Sequence, residues 1–148
     1  MLNPDYKEVL SIFIDQKVEF LVVGAYAMAV HGFPRATGDI DFFINSTPEN
    51  SEKVFKSLAI FGAPVSQLSK HEFTVPGTVF QIGVPPRRID ILTKIDGVIF
   101  EECFKECKHI SIEGLSLPVI SLTKLILNKE STGRTKDSED VKQLKSLL

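Results

Sequence analysis

Val18-Glu19-Phe20-Leu21-Val22-Val23-Gly24-Ala25 and, a short interval later, Thr37-Gly38-Asp39-Ile40-Asp41-Phe42-Phe43-Ile44 are the two runs whose reading decides the fold. The first is short, β-rich and closed by Gly24, which reads as a largely buried strand. Ala25 to His31 is rich in small, helix-favouring residues, so the strand passes through Gly24 directly into a short helix. Phe33-Pro34-Arg35-Ala36-Thr37-Gly38 is loop chemistry. From Asp39 to Ile44 acids alternate with apolar residues, which predicts a second strand. The Asp39 and Asp41 carboxylates then share one face, and Ile40 and Phe42 take the other.

Outward from these runs, Asn3-Pro4-Asp5 signals a helix start, because Asn accepts from open amides and Pro at the first helical position loses no bond. That helix is expected to reach about Gln16, and Thr47-Pro48-Glu49 opens another that runs to about Ile60 and closes at Gly62. Strands are predicted at Val79 to Val84 and Arg88 to Leu92, joined through Pro85-Pro86, with a helix from Phe100 to Lys108. His109 to Ile112 and Leu115 to Val119, linked by Glu113-Gly114, suggest a hairpin. Ser121 starts a helix, and Asp137 is expected to begin the last one, answered by Asp140 as a variant capping box. The mixture of elements reads as a single α/β (α+β) domain over residues 1–148.

With 148 residues, 43% of them hydrophobic and eleven of them Phe, the chain can bury a core without disulfides or a structural metal. Cys103 and Cys107 have no further Cys to complete a zinc site. No signal peptide and no apolar run of membrane-spanning length is present, so a cytoplasmic protein is expected, with no membrane partner. The net charge of −2 argues against an extended DNA-binding surface and leaves room for a local basic pocket.

Two carboxylates pushed together on one strand face demand a cation or a proton. Hard oxygen ligands favour Mg2+ or Mn2+, and a third acid would complete a two-metal site of the kind that clamps the attacking and leaving oxygens of a phosphoryl displacement. Asp90, flanked by Ile89 and Ile91, is the candidate if its strand lies beside the Asp39–Asp41 strand. An Asp-x-Asp at a strand end also fits a turn with no ligand; the glycine turn opening a helix ahead of it favours the metal reading. Gly24 lets the chain approach a ligand closely, and the helix start beyond it offers amides to a phosphate, although strand-to-helix turns use glycine for backbone reasons alone. Thr37 adds a hydroxyl for a phosphate or is a plain loop residue. Arg35 reads as an exposed loop arginine with a phosphate as the alternative. Alternation aims Arg88 to the face of Asp90 and Arg87 away. His31 and His71 read as structural or surface residues.

Together, Phe20 to Ala25, the short helix, and Thr37 to Phe42 resemble the signature of the nucleotidyltransferase superfamily (polymerase beta-like minimal fold). Lys129-Glu130-Ser131-Thr132-Gly133-Arg134-Thr135-Lys136-Asp137 with Asp140 is similar to the late pattern of its AbiEii-like toxin branch and related small uncharacterised members. The resemblance implies a mixed sheet flanked by helices, a nucleoside triphosphate held by Gly24, Ala25 and Thr37, and two divalent ions on Asp39, Asp41 and Asp90. The implied reaction transfers a nucleoside monophosphate to a hydroxyl acceptor, whether a small molecule, an RNA end or a protein, with Asp90 helping to activate that hydroxyl. Lys129, Arg134 and Lys136 would contact the triphosphate or acceptor; alternatively they serve the end of one helix, with Gly133 as its cap. Membership of a toxin–antitoxin pair, with a cognate antitoxin as partner, is also implied. Ala25 departs from the family's usual Gly or Ser, removing a hydroxyl contact, and the short chain leaves little to hold a base. A non-catalytic nucleotide- or partner-binding member of the fold is therefore the competing reading, and a phosphohydrolase using the same acids a more distant one.

Overall fold

The structure, a computed structural model, describes residues 2–34 and 38–148. Thr37 and Arg35, both named above for phosphate contact, lie outside the described residues. Helix α1 (Pro4–Asp15) starts as its sequence directs, with the Asn3 side chain accepting from the Asp5 amide at 2.8 Å and Pro4 in the first turn. Its Tyr6, Val9, Leu10 and Phe13 form one buried stripe. Strand β1 (Phe20–Val23), α2 (Gly24–Val30) and β2 (Ile40–Ile44) follow, then α3 (Pro48–Phe61), β3 (Val79–Ile82), β4 (Ile89–Leu92), α4 (Phe100–Lys105), the β5 (Lys108–Ile112) and β6 (Leu115–Val119) hairpin, α5 (Leu122–Ser131) and α6 (Thr135–Lys145).

The strands form one mixed sheet in the order β3-β4-β2-β1-β6-β5. β1 and β2 are antiparallel, β2 and β4 parallel, β1 and β6 parallel, and both edges are antiparallel pairs. The strands with the most continuous apolar runs lie in the middle, where both faces are covered, as buried strands require. On one face Phe13 of α1 meets Phe20 at 5.3 Å and Phe42 at 5.4 Å. On the other Phe43 packs edge-on to Phe100 of α4 at 5.2 Å. Asp41 shares the Phe43 face by strand alternation. No helix among the described residues is long and apolar enough to cross a membrane.

Of the boundaries that differ from expectation, three bear on the residues singled out above. β2 begins at Ile40, leaving Asp39 just ahead of the strand, where its side chain can bond to the start of β4. α4 ends at Lys105 because Lys108 is taken into the β5 ladder, so Cys107 lies beyond the helix that holds Cys103. α6 begins at Thr135 with Arg134 as its cap residue, and no side chain makes a capping bond there. Asp137, expected to start that helix, is instead buried within its first turn and committed to ion pairs.

Candidate active site

The register of three adjacent ladders builds the site. Asp41 stands opposite Asp90 across the parallel β2/β4 pair, Val23 opposite Asp41 on one side, and Gln81 opposite Asp90 on the other. One row across the sheet thus reads Gln81, Asp90, Asp41, Val23, and the chain leaves the sheet at Gly24 immediately beyond it. Gly24 has φ +67°, and a Cβ there would overlap the Asp41 carboxylate. Its first role is therefore to admit the acid's own side chain against the strand-to-helix turn, ahead of any ligand.

Asp39 is fixed from the neighbouring strand, since the Arg88 amide donates to its Oδ1 at 2.9 Å and the Ile40 amide donates to the Arg88 carbonyl at 3.0 Å. The Arg88 guanidinium reaches all the way over Asp90: Nε donates to Oδ1 at 2.7 Å and Nη2 to Oδ2 at 3.1 Å, with Nη2 3.9 Å from Asp39 Oδ2. The alternation that aims Arg88 and Asp90 to one face makes this pairing available without any backbone change.

Tyr6, only 1% exposed, contributes from the opposite layer. Its hydroxyl lies 2.5 Å from the Gly38 carbonyl and 3.3 Å from that of Arg88, so one buried phenol ties together the backbones that deliver Asp39 and Asp90. Burial, then Tyr26, then Asp39 push its pKa up to about 12, so it stays a donor. Gly38 is needed where it is, because a Cβ there would run into the Pro86 carbonyl. Tyr6 escaped the sequence reading; it lies 32 residues from Gly38 and 82 from Arg88, and no local pattern marks that contact.

Burial, a hydrogen bond to Asp90 and the charges of Asp90 and Asp39 raise the Asp41 pKa to about 7, with Arg88 working in the opposite direction. The Arg88 guanidinium thus does not bring Asp41 back to the ordinary carboxylate range. Among the described residues no three metal-ligating side chains stand as a ready-made cage; the Arg88 guanidinium lies among the acids instead. The donor set itself, the carboxylate oxygens of Asp39, Asp41 and Asp90, suits a hard divalent cation.

These acids floor a cleft of about 880 Å³, which Gly24, Ala25 and Met28 line on one side and Lys129, Arg134 and Lys136 on another. All the described residues named from the sequence for the site thus border one space. Lys94, Ile95, Asp96 and Asn128, which were not named, border it as well, and Asn128 Nδ2 holds the Asp96 carbonyl at 2.9 Å. Lys129 is already engaged: its side chain is 12% exposed and its Nζ lies 3.3 Å from Asp137 and 3.0 Å from Asp140. Arg134 Nε meets Asp137 at 2.7 Å while its side chain remains 58% exposed, and Thr132 donates to the same acid at 2.6 Å. Burial alone would raise the Asp137 pKa, but the Thr132 and Arg134 bonds and Lys129 outweigh it and the pKa falls. His31 bonds the Ile120 carbonyl at 2.8 Å, away from the acids.

A mixed sheet that sets an Asp-x-Asp pair beside a third strand's Asp, next to a glycine turn into a helix, defines the nucleotidyltransferase class. Residues 3–148 match a family model described as "Nucleotidyl transferase of unknown function (DUF2204)", and the chain belongs to that family. The fold is shared with the crystal structure of a "putative nucleotidyltransferase" from Thermotoga maritima, at TM-score 0.65 and 17% identity, over 100% of this chain and 97% of that one. No curated protein matches the chain.

Proposed function

We propose that the chain is a divalent-metal-dependent nucleotidyltransferase that moves a nucleoside monophosphate from a nucleoside triphosphate to a hydroxyl of a small molecule, an RNA end or a protein. The observation that carries this reading is the registered Asp41–Asp90 pair, with Asp39 beside it, flooring a cleft whose rim bears Lys129, Arg134 and Lys136. Mg2+ or Mn2+ held by Asp39, Asp41 and Asp90 would supply charge neutralisation at the phosphoryl group. The acceptor oxygen bonds to the α-phosphorus, the bond from that phosphorus to its β-bridging oxygen breaks, and pyrophosphate leaves. Asp90 would help to take the hydroxyl proton. Gly24 and Ala25 line the cleft and would border the triphosphate. Of the basic residues, Arg134 and Lys136 are the more exposed, so they suit ligand contact, whereas Lys129 works as part of the α5–α6 junction.

A second reading, ligand binding without transfer, is favoured by Ala25 and by the closed Arg88–Asp90 pair. The test is thermal unfolding of the wild type and an Asp39→Asn/Asp41→Asn variant with each ribonucleoside triphosphate, with and without Mg2+. A ligand at 100 times its Kd stabilises by about 2.7 kcal/mol. A Mg2+-dependent shift that the double variant lacks supports the nucleotide site, and release of pyrophosphate on adding acceptors then separates transfer from binding. No shift with any triphosphate, in a well-folded protein, overturns the nucleotide reading. The toxin–antitoxin assignment rests on the resemblance of Lys129 to Asp140 alone; growth arrest on expression, relieved by a neighbouring gene product, is its test.

A further inference from the structure

We propose that Arg88 is a positioning residue that keeps Asp90 closed to divalent cations in the ligand-free protein and releases it when its guanidinium turns to a phosphate, so that cation and phosphate enter the cleft cooperatively. This rests on the reading that the acids bind metal.

The geometry is specific. The fork from Nε and Nη2 occupies both carboxylate oxygens of Asp90, at 2.7 and 3.1 Å. A divalent cation takes the same lone pairs at about 2.0–2.1 Å for Mg2+, and a guanidinium and a dication on one carboxylate repel. Asp90 is buried, so its anion needs one partner or the other. The Arg88 backbone, in contrast, does not have to move on exchange. Its amide stays on Asp39 and its carbonyl on the Ile40 amide while only the side chain swings. Arg88 and the acids line the same cleft as Arg134 and Lys136. A guanidinium displaced from Asp90 by a cation therefore stays in the cleft that Arg134 and Lys136 also line, where a bound anion gives all three a common partner. A phosphate offers the bidentate partner that the carboxylate had supplied.

The test is Mn2+ titration, read from the free-ion EPR signal, on the wild type, Arg88→Gln, Arg88→Lys, Arg87→Gln and Asp41→Asn. Arg88→Gln is expected to bind Mn2+ about tenfold tighter than wild type, equivalent to ~1.4 kcal/mol. Arg88→Lys should recover most of that gain although it keeps the charge, since an ammonium cannot form the fork. Arg87→Gln, removing an exposed neighbouring charge, should change little. At saturating Mn2+, inorganic triphosphate should bind Arg88→Gln about tenfold more weakly than wild type, the opposite sign from the metal. Unchanged Mn2+ affinity in Arg88→Gln, an equal gain in Arg87→Gln, or unchanged triphosphate affinity would each overturn the proposal. Asp41→Asn separates the two levels: if it removes Mn2+ binding while Arg88→Gln behaves as wild type, the latch alone fails. If Asp41→Asn binds as wild type does, the metal reading fails with it.

Discussion

Two groups of acids border the same cleft and are held in opposite electrostatic states. At the sheet row the Arg88 guanidinium meets Asp39 and Asp90, and the Asp41 pKa is driven up to about 7. At the α5–α6 corner, Asp137 and Asp140 meet Lys129 and Arg134, and the Asp137 pKa is driven down. Identical side chains in one pocket thus divide into a group in which one carboxyl is held toward its protonated form and a group in which one is held toward its ionised form. The first is the site proposed for a divalent cation; the second pairs side chains of α5 and α6.

The largest expected effect is on the first group. Asp39→Asn/Asp41→Asn should lower nucleotidyl transfer by about 10³-fold or more, the several kcal/mol that metal charge stabilisation supplies. In the metal-free protein at neutral pH the same change should raise the melting temperature, because it removes crowded negative charge. A fall in both would erase the contrast. At the corner the sign reverses: Asp137→Asn leaves Lys129 buried with one partner fewer and should cost about 3 kcal/mol in urea unfolding. A change below about 0.5 kcal/mol, ordinary for surface positions, would show that the corner is not what joins α5 to α6.

The pH dependences should also oppose each other. The folded Asp41 pKa of about 7 lies above its ordinary 3.8, so between these values the folded state binds more protons than the unfolded one. Stability contributed there falls as pH rises from about 4 to 7, and Mg2+ should flatten the slope. For Asp137 the folded value lies below 3.8. Its contribution is present above that value and is lost as pH falls below it. Unfolding of the metal-free wild type and the Asp41→Asn variant across pH 3–8 checks both signs. The smallest effect is Tyr6→Phe, which removes the bond to the Gly38 carbonyl and should cost about 1 kcal/mol. Its interest is that the change sits across the sheet from the cleft yet should loosen Asp39 and Asp90 together, seen as weaker Mn2+ binding.

What could be read without the fold follows from short-range rules. Alternation along Asp39 to Ile44 put two carboxylates on one face, the Ile89-Asp90-Ile91 pattern marked a third, and Gly24 punctuated the strand-to-helix turn. Asn3, Thr47 and Ser121 marked their helix starts, where each side chain now accepts from an open amide. These features depend on periods of two and on single capping residues, so a linear sequence displays them.

The remaining features depend on partners distant in sequence. That β4 pairs with β2 in the register Asp41 to Asp90 is decided by which hydrophobic faces bury together, which no local pattern records. Arg88 could be aimed by alternation but not assigned, because carboxylate and phosphate satisfy a guanidinium equally well and only packing sets which is within reach. The same holds for Lys129, whose pattern fits a ligand contact or a helix junction until Asp137 and Asp140 are seen around it. Tyr6 is the extreme case: its role exists only because α1 crosses the sheet where two loops meet. The sequence by itself determined the chemistry on offer, three acids and a set of cations. The tertiary structure decided which acid is held toward its protonated form and which toward its ionised form, because charge compensation is a matter of distance and burial rather than of order along the chain.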